Sequence, residues 1–192
     1  MSDPFRTATL VHDWIRPRLR PGDAAIDATA GNGQDTLFLA RLVGESGRVY
    51  AFDIQAGAVE ATRTLLAEHG FLSRVALYLA PHESMASVLP APSGPVRAVM
   101  FNLGYLPGGD KALITRPATT LTALQTALAL LAPGGLITVV SYPAHAGGGE
   151  EADALLQFCG DLNPELFRVI RCHHLITTDS LPPFALAIEK RC

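Results

Sequence analysis

"DATAGNGQD" (residues 27–35) follows the apolar run Ala24-Ala25-Ile26 and gathers four carboxylate or amide side chains around two glycines. "AAIDAT" (24–29) has the character of a short buried strand, and "QDTLFLARLV" (34–43) that of a helix whose Leu37, Phe38, Ala40, Arg41 and Leu42 give an inward face. A strand that breaks into a glycine turn and then a helix is the opening unit of a parallel sheet. In open α/β sheets ligands sit beyond the carboxyl ends of the strands, so Asp27 to Gly33 are expected at the mouth of a site. Gly31 and Gly33 would let the backbone approach a ligand closely.

The same alternation continues outward. "GRVYAFDI" (47–54), "RVALYLA" (74–80), "VRAVMFNLGYL" (96–106) and "LITVVSY" (136–142) read as strands. Helices are expected over 56–70, 119–135 with a Pro-Gly-Gly exit, and 150–162, and the segment 1–23 carries a helix of its own. A Pro/Gly-rich loop, "PAPSGP", precedes the fourth strand. Strand, helix, strand at this spacing implies right-handed crossovers and a mostly parallel sheet with helices on both faces. The tail differs: "FRVIRCHHLI" (167–176) and "PFALAIEK" (183–190) are joined by too short a loop for a parallel crossover, so the sheet is expected to end in an antiparallel hairpin. The whole, 1–192, is expected to be one domain.

At 48% hydrophobic and 17% charged, the chain has the composition of a folded protein and not of a disordered one. No apolar run approaches the roughly 20 residues of a membrane span, and the N-terminus lacks a signal-peptide pattern, so a cytoplasmic location without membrane contact is expected. Cys159, Cys172 and Cys192 are scattered, which gives no support to a disulfide framework or a metal site. Cys159 is expected to pack on a helix. The net charge of −3 argues against a strong non-specific nucleic-acid binder. Two local clusters, Arg6/Arg16/Arg18/Arg20 and Arg168/Arg171/His173/His174, could still form patches, and a homodimer could pool the first of them.

The first turn also bears on the cofactor. A dinucleotide favours G-x-G-x-x-G with its pyrophosphate on the helix N-terminus. Here the run is G-N-G-Q-D-T, with no third glycine and with carboxylates at Asp27 and Asp35. Negative charge beside a pyrophosphate is unfavourable, whereas a ligand bearing an ammonium and a sulfonium is favoured. S-adenosyl-L-methionine carries both. Asp53, 22 residues after Gly31, ends the second strand where a carboxylate can receive both ribose hydroxyls. The expected cofactor contacts are Asp27, Thr29, Gly31, Asn32, Gly33, Gln34 and Asp35 in the turn, and Asp53, Ile54 and Gln55 after the second strand. His82 and Glu83, after the third strand, are candidates to face the adenine, and Asn102 closes the set.

"DATAGNGQDTLFLARLVGESGRVYAFDIQ", "MFNLGYLPGGDK" and "LLAPGGLITVVSYPAHAGG" together closely resemble the YtqB-like family of class I S-adenosylmethionine-dependent methyltransferases, long labelled rRNA methylases. The resemblance runs from about His12 to Lys190, and N-L-G-Y-L-P-G-G-D-K is its most specific motif. It implies a Rossmann-like methyltransferase acting on RNA, with the 5-aminomethyl group of the tRNA wobble uridine, in the anticodon stem-loop, as target. Gln34 stands where the family often has His, and Ala144-His145-Ala146 departs from a Gly-His-Glu run.

Methyl transfer in line from a sulfonium to an amine needs positioning more than covalent help. Asn102 could accept a hydrogen bond from the target amine, as could the Leu103 carbonyl, and Tyr105 beyond Gly104 could stack on a flipped-out base. A primary alkylamine must lose a proton before it attacks. His145 is the candidate acceptor, and Tyr142 could line the same pocket. Asp110 and Lys111 in "PGGDK" are candidates to touch phosphate or each other. His12 and Trp14 are expected to serve packing or oligomerisation. Ribosomal RNA or a small amine stays open as an alternative substrate, and a non-catalytic binding module or an NAD enzyme as an alternative class.

Overall fold

Every run with β character joins one sheet. In the computed structural model, which describes residues 6–106, 108, 113–175 and 181–192, five strands run parallel. They are β1 (Ala24–Asp27), β2 (Arg48–Asp53), β3 (Val75–Leu79), β4 (Val96–Asn102) and β5 (Leu131–Ser141). Two more, β6 (Phe167–His173) and β7 (Phe184–Lys190), form the expected antiparallel hairpin, with β7 also antiparallel to β5. The order across the seven strands is β3-β2-β1-β4-β5-β7-β6. Asp110, Lys111 and the expected strand end at Ile176 lie outside the described residues.

Period-two alternation sends successive side chains of each strand into two separate apolar layers. On one face Ile26, Phe52, Phe101 and Ile137 pack beneath α5 (Pro117–Leu130) and α6 (Gly148–Gly160) through Leu124, Leu155 and Cys159. Cys159 is buried there as expected, and burial pushes its thiol pKa up to about 11, so it is an inert packing group. On the other face Ala25, Val49 and Ala98 meet α1 (Thr7–Ile15), α2 (Gln34–Leu42) and α3 (Ala56–Glu68) through Val11, Ile15, Leu39 and Leu66. Helix α1 covers β5 and β7, which brings the N-terminal segment beside the carboxyl end of the sheet. No described helix is long and apolar enough to cross a membrane.

Two boundaries differ from the sequence expectation. The helix expected over 119–135 begins at Pro117, suited to a first helical turn, and stops at Leu130. The Pro-Gly-Gly run then belongs to β5, not to a helix exit. Leu131 pairs with Val96, the register slips, and pairing resumes at Ala98 with Leu136. Pro133 has no N–H to give the ladder, so the intervening residues bulge out of it. Between β3 and β4 the expected loop contains a 3₁₀ turn, His82–Ser84, and the one-turn α4, Met85–Val88, anchored by the fully buried Met85.

Gly33 sets the start of α2. Its φ of +81° is left-handed, and a Cβ at this position would lie 2.9 Å from the Thr62 backbone of α3. Gly33→Ala is therefore expected to lower unfolding stability by ~1–3 kcal/mol, the cost of a strained left-handed residue with a steric contact. Urea denaturation checks this, and an unchanged midpoint would contradict the tight α2–α3 approach.

Candidate functional site

Crossovers leave β1 and β4 toward opposite faces of the sheet, and the gap between their carboxyl ends widens into a cleft of about 980 Å³. The β1 turn is tied to its neighbours on three sides. Gly31 donates its N–H to Asp53 Oδ2 at 2.9 Å, and Gln55 donates to Asp53 Oδ1 at 2.9 Å. Thr62 Oγ1 donates to the Gly31 carbonyl at 3.0 Å. Thr29 Oγ1 accepts the Asn102 N–H at 2.7 Å, which fixes the end of β4 against the turn.

Asp27 lies beneath this turn and does not line the cleft, contrary to the expectation of a direct cofactor contact. Its side chain points to the first turn of α2, where donors are waiting: Oδ2 accepts from Thr36 Oγ1 at 2.6 Å and Oδ1 from the Thr29 N–H at 3.1 Å. Burial, and secondarily the charge of Asp35, pushes its pKa up to about 7 against these hydrogen bonds. Gly33 is likewise turned away, against α3. The other residues singled out in the sequence line the cleft: Thr29, Gly31, Asn32, Gln34 and Asp35 from the turn, and Asp53, Ile54 and Gln55 beyond β2. His82 and Glu83 follow from β3, Asn102, Leu103, Gly104 and Tyr105 from β4, and Tyr142 and His145 from β5.

His82 is buried edge-on to Phe101, ring centroids 6.0 Å apart. Desolvation lowers its pKa, with Glu83 pulling the other way, so the ring is held neutral. Its Nε2 has no hydrogen-bond partner among the described residues. At the opposite end His145 lies between two tyrosines, 4.6 Å from the Tyr105 ring centroid and 5.4 Å from that of Tyr142, nearly parallel to the latter. Its buried Nδ1 is also without a partner among the described residues. Two buried imidazole nitrogens facing a cleft are costly unless a ligand satisfies them. Gly104, at φ +113°, passes directly under His145; a Cβ there would stand 3.1 Å from Nδ1. Burial raises the Tyr142 pKa, Asp35 adding to the effect and Arg6 opposing it.

Two parts of the site escaped the sequence reading. The first is Glu151 of α6, buried at 3% exposure. It accepts hydrogen bonds from Thr115 Oγ1 at 2.8 Å and Thr120 Oγ1 at 2.7 Å, while Thr115 Oγ1 accepts the Gly104 N–H at 2.9 Å. The Thr115 N–H returns to the Gly104 carbonyl at 3.1 Å, so the segment after β4 is clamped at both polar groups of Gly104. The second is His12, expected to serve packing or oligomerisation, whose Nε2 lies 2.5 Å from Asp35 Oδ1 on the cleft wall. The arginine clusters dissolve into separate tasks. Arg6 lines the cleft, as does Arg116; Arg16 covers Phe38, Arg18 pairs with Glu189 at 2.5 Å, and Arg171 covers Phe184.

Residues 49–189 match the family described as "Putative rRNA methylase". The chain belongs to this family. A Clostridium thermocellum crystal structure of the same description is 43% identical, with a TM-score of 0.92 over 96% of this chain and 97% of that one. SMU.1697c of Streptococcus mutans, a methyltransferase by description whose structure contains SAH, is 39% identical, with a TM-score of 0.86 over 96% of this chain and 98% of that one. The Arabidopsis thaliana protein named tRNA (mnm(5)s(2)U34)-methyltransferase, chloroplastic, is 45% identical over 148 residues, 73% of this chain and 54% of the relative. The chain thus spans about half the length of the curated relatives it matches. The fold is the Rossmann-like one of class I methyltransferases, with a mostly parallel sheet that ends in an antiparallel hairpin.

The buried Asp27 gives a pH test. A carboxyl whose folded pKa lies above its unfolded value of 3.8 binds its proton more tightly when folded. Its contribution to stability is full below pH 3.8 and is lost as pH rises through about 7. Asp27→Asn removes that dependence, so the stability of the variant relative to the parent is expected to rise from pH 4 to 7 and then level. Urea unfolding across this range checks it; a difference that stays flat would contradict a perturbed Asp27.

Proposed function

We propose that this protein is an S-adenosylmethionine-dependent N-methyltransferase that methylates the 5-aminomethyl group of 2-thiouridine at the tRNA wobble position. The observation that carries the reading is the cluster at the ends of β4 and β5: Asn102 beside Tyr105, His145 and Tyr142, with the unpartnered His145 Nδ1 buried among them. The printed name of the Arabidopsis thaliana relative supports the substrate, and the SAH in the Streptococcus mutans structure supports the donor.

The cleft fits the donor at three points. Each Asp53 oxygen accepts one backbone N–H and has a second lone pair for a ribose hydroxyl. The His82 Nε2, without a hydrogen-bond partner among the described residues and 3.9 Å from Glu83 Oε2, offers a polar contact at the adenine end. The turn residues Thr29, Gly31, Asn32 and Gln34 line the intervening wall with Ile54 and Gln55. When bound, S-adenosylmethionine supplies a methyl group on a sulfonium. Tyr105 stacks on the target base, and Tyr142, across His145 from it, lines the same pocket. The His145 imidazole takes the proton that the alkylammonium must lose, and the Asn102 side-chain oxygen and Leu103 carbonyl hold the remaining N–H bonds so that the lone pair faces the methyl. Arg6 and Arg116 stand at the rim, where the phosphates of an anticodon stem-loop would pass. No step needs a metal.

Incubating tRNA that carries 5-aminomethyl-2-thiouridine with the protein and S-adenosylmethionine, followed by mass spectrometry of the nucleosides, is expected to show gain of one methyl group on that nucleoside and none in rRNA. Methylation of rRNA with tRNA untouched would contradict the reading. In the same assay Asn102→Ala is expected to lower turnover about fivefold to tenfold, as for the loss of one neutral hydrogen bond of ~1–1.5 kcal/mol, with cofactor affinity nearly unchanged. Full turnover in this variant would remove the amine contact.

A further inference from the structure

We infer that the buried Glu151 is a positioning residue for methyl transfer: acting through Thr115, it sets the Leu103–Gly104 peptide so that the Leu103 carbonyl receives the target amine. This rests on the amine-methyltransferase reading above. Glu151 lies in the first turn of α6 and does not line the cleft. Its Oε2 accepts from Thr115 Oγ1 at 2.8 Å and its Oε1 from Thr120 Oγ1 at 2.7 Å. A carboxylate only accepts, so the single hydroxyl proton of Thr115 is committed to it. The hydroxyl oxygen is left to accept, and it does so from the Gly104 N–H at 2.9 Å. The positive end of α6 eases the burial of the charge.

That N–H belongs to the same peptide unit as the Leu103 carbonyl. With the N–H turned to Thr115 and α6, the carbonyl of a trans peptide turns away from them. Leu103 lines the cleft, its own N–H is held by the Val140 carbonyl at 2.9 Å, and no donor among the described residues occupies its carbonyl. Hydrogen bonds in a chain polarise one another, so the carboxylate charge, passed through the hydroxyl and the N–H, makes the Leu103 oxygen a stronger acceptor for an amine N–H. A second tie runs back from the Thr115 N–H to the Gly104 carbonyl at 3.1 Å, and one residue further Tyr105 bridges Ile114. Gly104 also passes under His145, where a Cβ would stand 3.1 Å from Nδ1. One buried network therefore holds the amine acceptor, the stacking ring and the proton acceptor in a common frame, anchored on α5 by Thr120 and on α6 by Glu151.

The test uses the full chain and tRNA carrying 5-aminomethyl-2-thiouridine, and measures the single-turnover methylation rate at saturation, the half-saturating tRNA concentration and the affinity for S-adenosylhomocysteine. Thr115→Val keeps the side-chain volume but can neither accept from Gly104 nor donate to Glu151. Its saturated rate is expected to fall about tenfold or more, with the half-saturating tRNA concentration and the S-adenosylhomocysteine affinity within about threefold of the parent. Thr115→Ser, which keeps the hydroxyl, is expected to stay within about twofold of the parental rate. Glu151→Gln keeps an oxygen for Thr115 but not the charge, and is expected to lose about threefold to fivefold in rate. A parental rate in Thr115→Val or Glu151→Gln, a serine variant as slow as the valine one, or a loss confined to tRNA or S-adenosylhomocysteine affinity would overturn the assignment. A parent that leaves this tRNA unmethylated would reject the methyltransferase reading and the positioning role with it, whereas methylation by a parent whose variants keep its rate would discard the positioning role alone.

Discussion

The site depends on two aspartates that hold the turn after β1 from below and from the side. Asp53 receives the amides of Gly31 and Gln55, joining the exits of β1 and β2, and Asp27 receives Thr36 and the Thr29 amide. Without them the turn would leave backbone donors unpaired at the mouth of a buried sheet, where each orphan costs roughly 1–3 kcal/mol. Thr29 passes the constraint on to Asn102, so the cofactor side and the substrate side of the cleft share one rigid element. The arrangement also concentrates carboxyl groups: Asp35, Asp53 and Glu83 line the cleft, and Asp27, its pKa pushed up to about 7 by burial, lies beneath it. That field suits a sulfonium and an ammonium and opposes a pyrophosphate.

A second rigid element meets the first at Gly104. Glu151 sits in the interior without a cation partner among the described residues, yet two threonine hydroxyls satisfy it, and one of them carries the Gly104 amide. A buried carboxylate is an expensive way to hold a loop, and it is justified where the loop must not drift. His145, Tyr105 and Tyr142 surround this glycine, whose missing side chain lets the imidazole approach the backbone. The close match to the Clostridium thermocellum and Streptococcus mutans structures extends over the whole sheet and its helices.

Much of this was legible in the chain. Buried parallel strands read as apolar runs, the two glycines marked the turn, and the short link between the last two strands required a hairpin, so the fold and the cleft followed from local pattern. What stayed hidden depends on direction or distance. All four residues of β1 are buried, so alternation could not say which way Asp27 points, and its carboxylate went under the turn. The Leu-rich run before Pro133 fits a helix as well as a strand, which blurred the α5–β5 boundary. The His12–Asp35 and Glu151–Thr115–Thr120 links join residues 23, 36 and 31 positions apart, and only packing of the helices brings them together.

The acidic β1 turn selects a sulfonium donor over a dinucleotide. Calorimetric titration of the protein with S-adenosylmethionine and, separately, with NAD tests it most directly. Saturable binding of S-adenosylmethionine with no heat from NAD is the predicted result. Saturable NAD binding with none for S-adenosylmethionine would contradict the account.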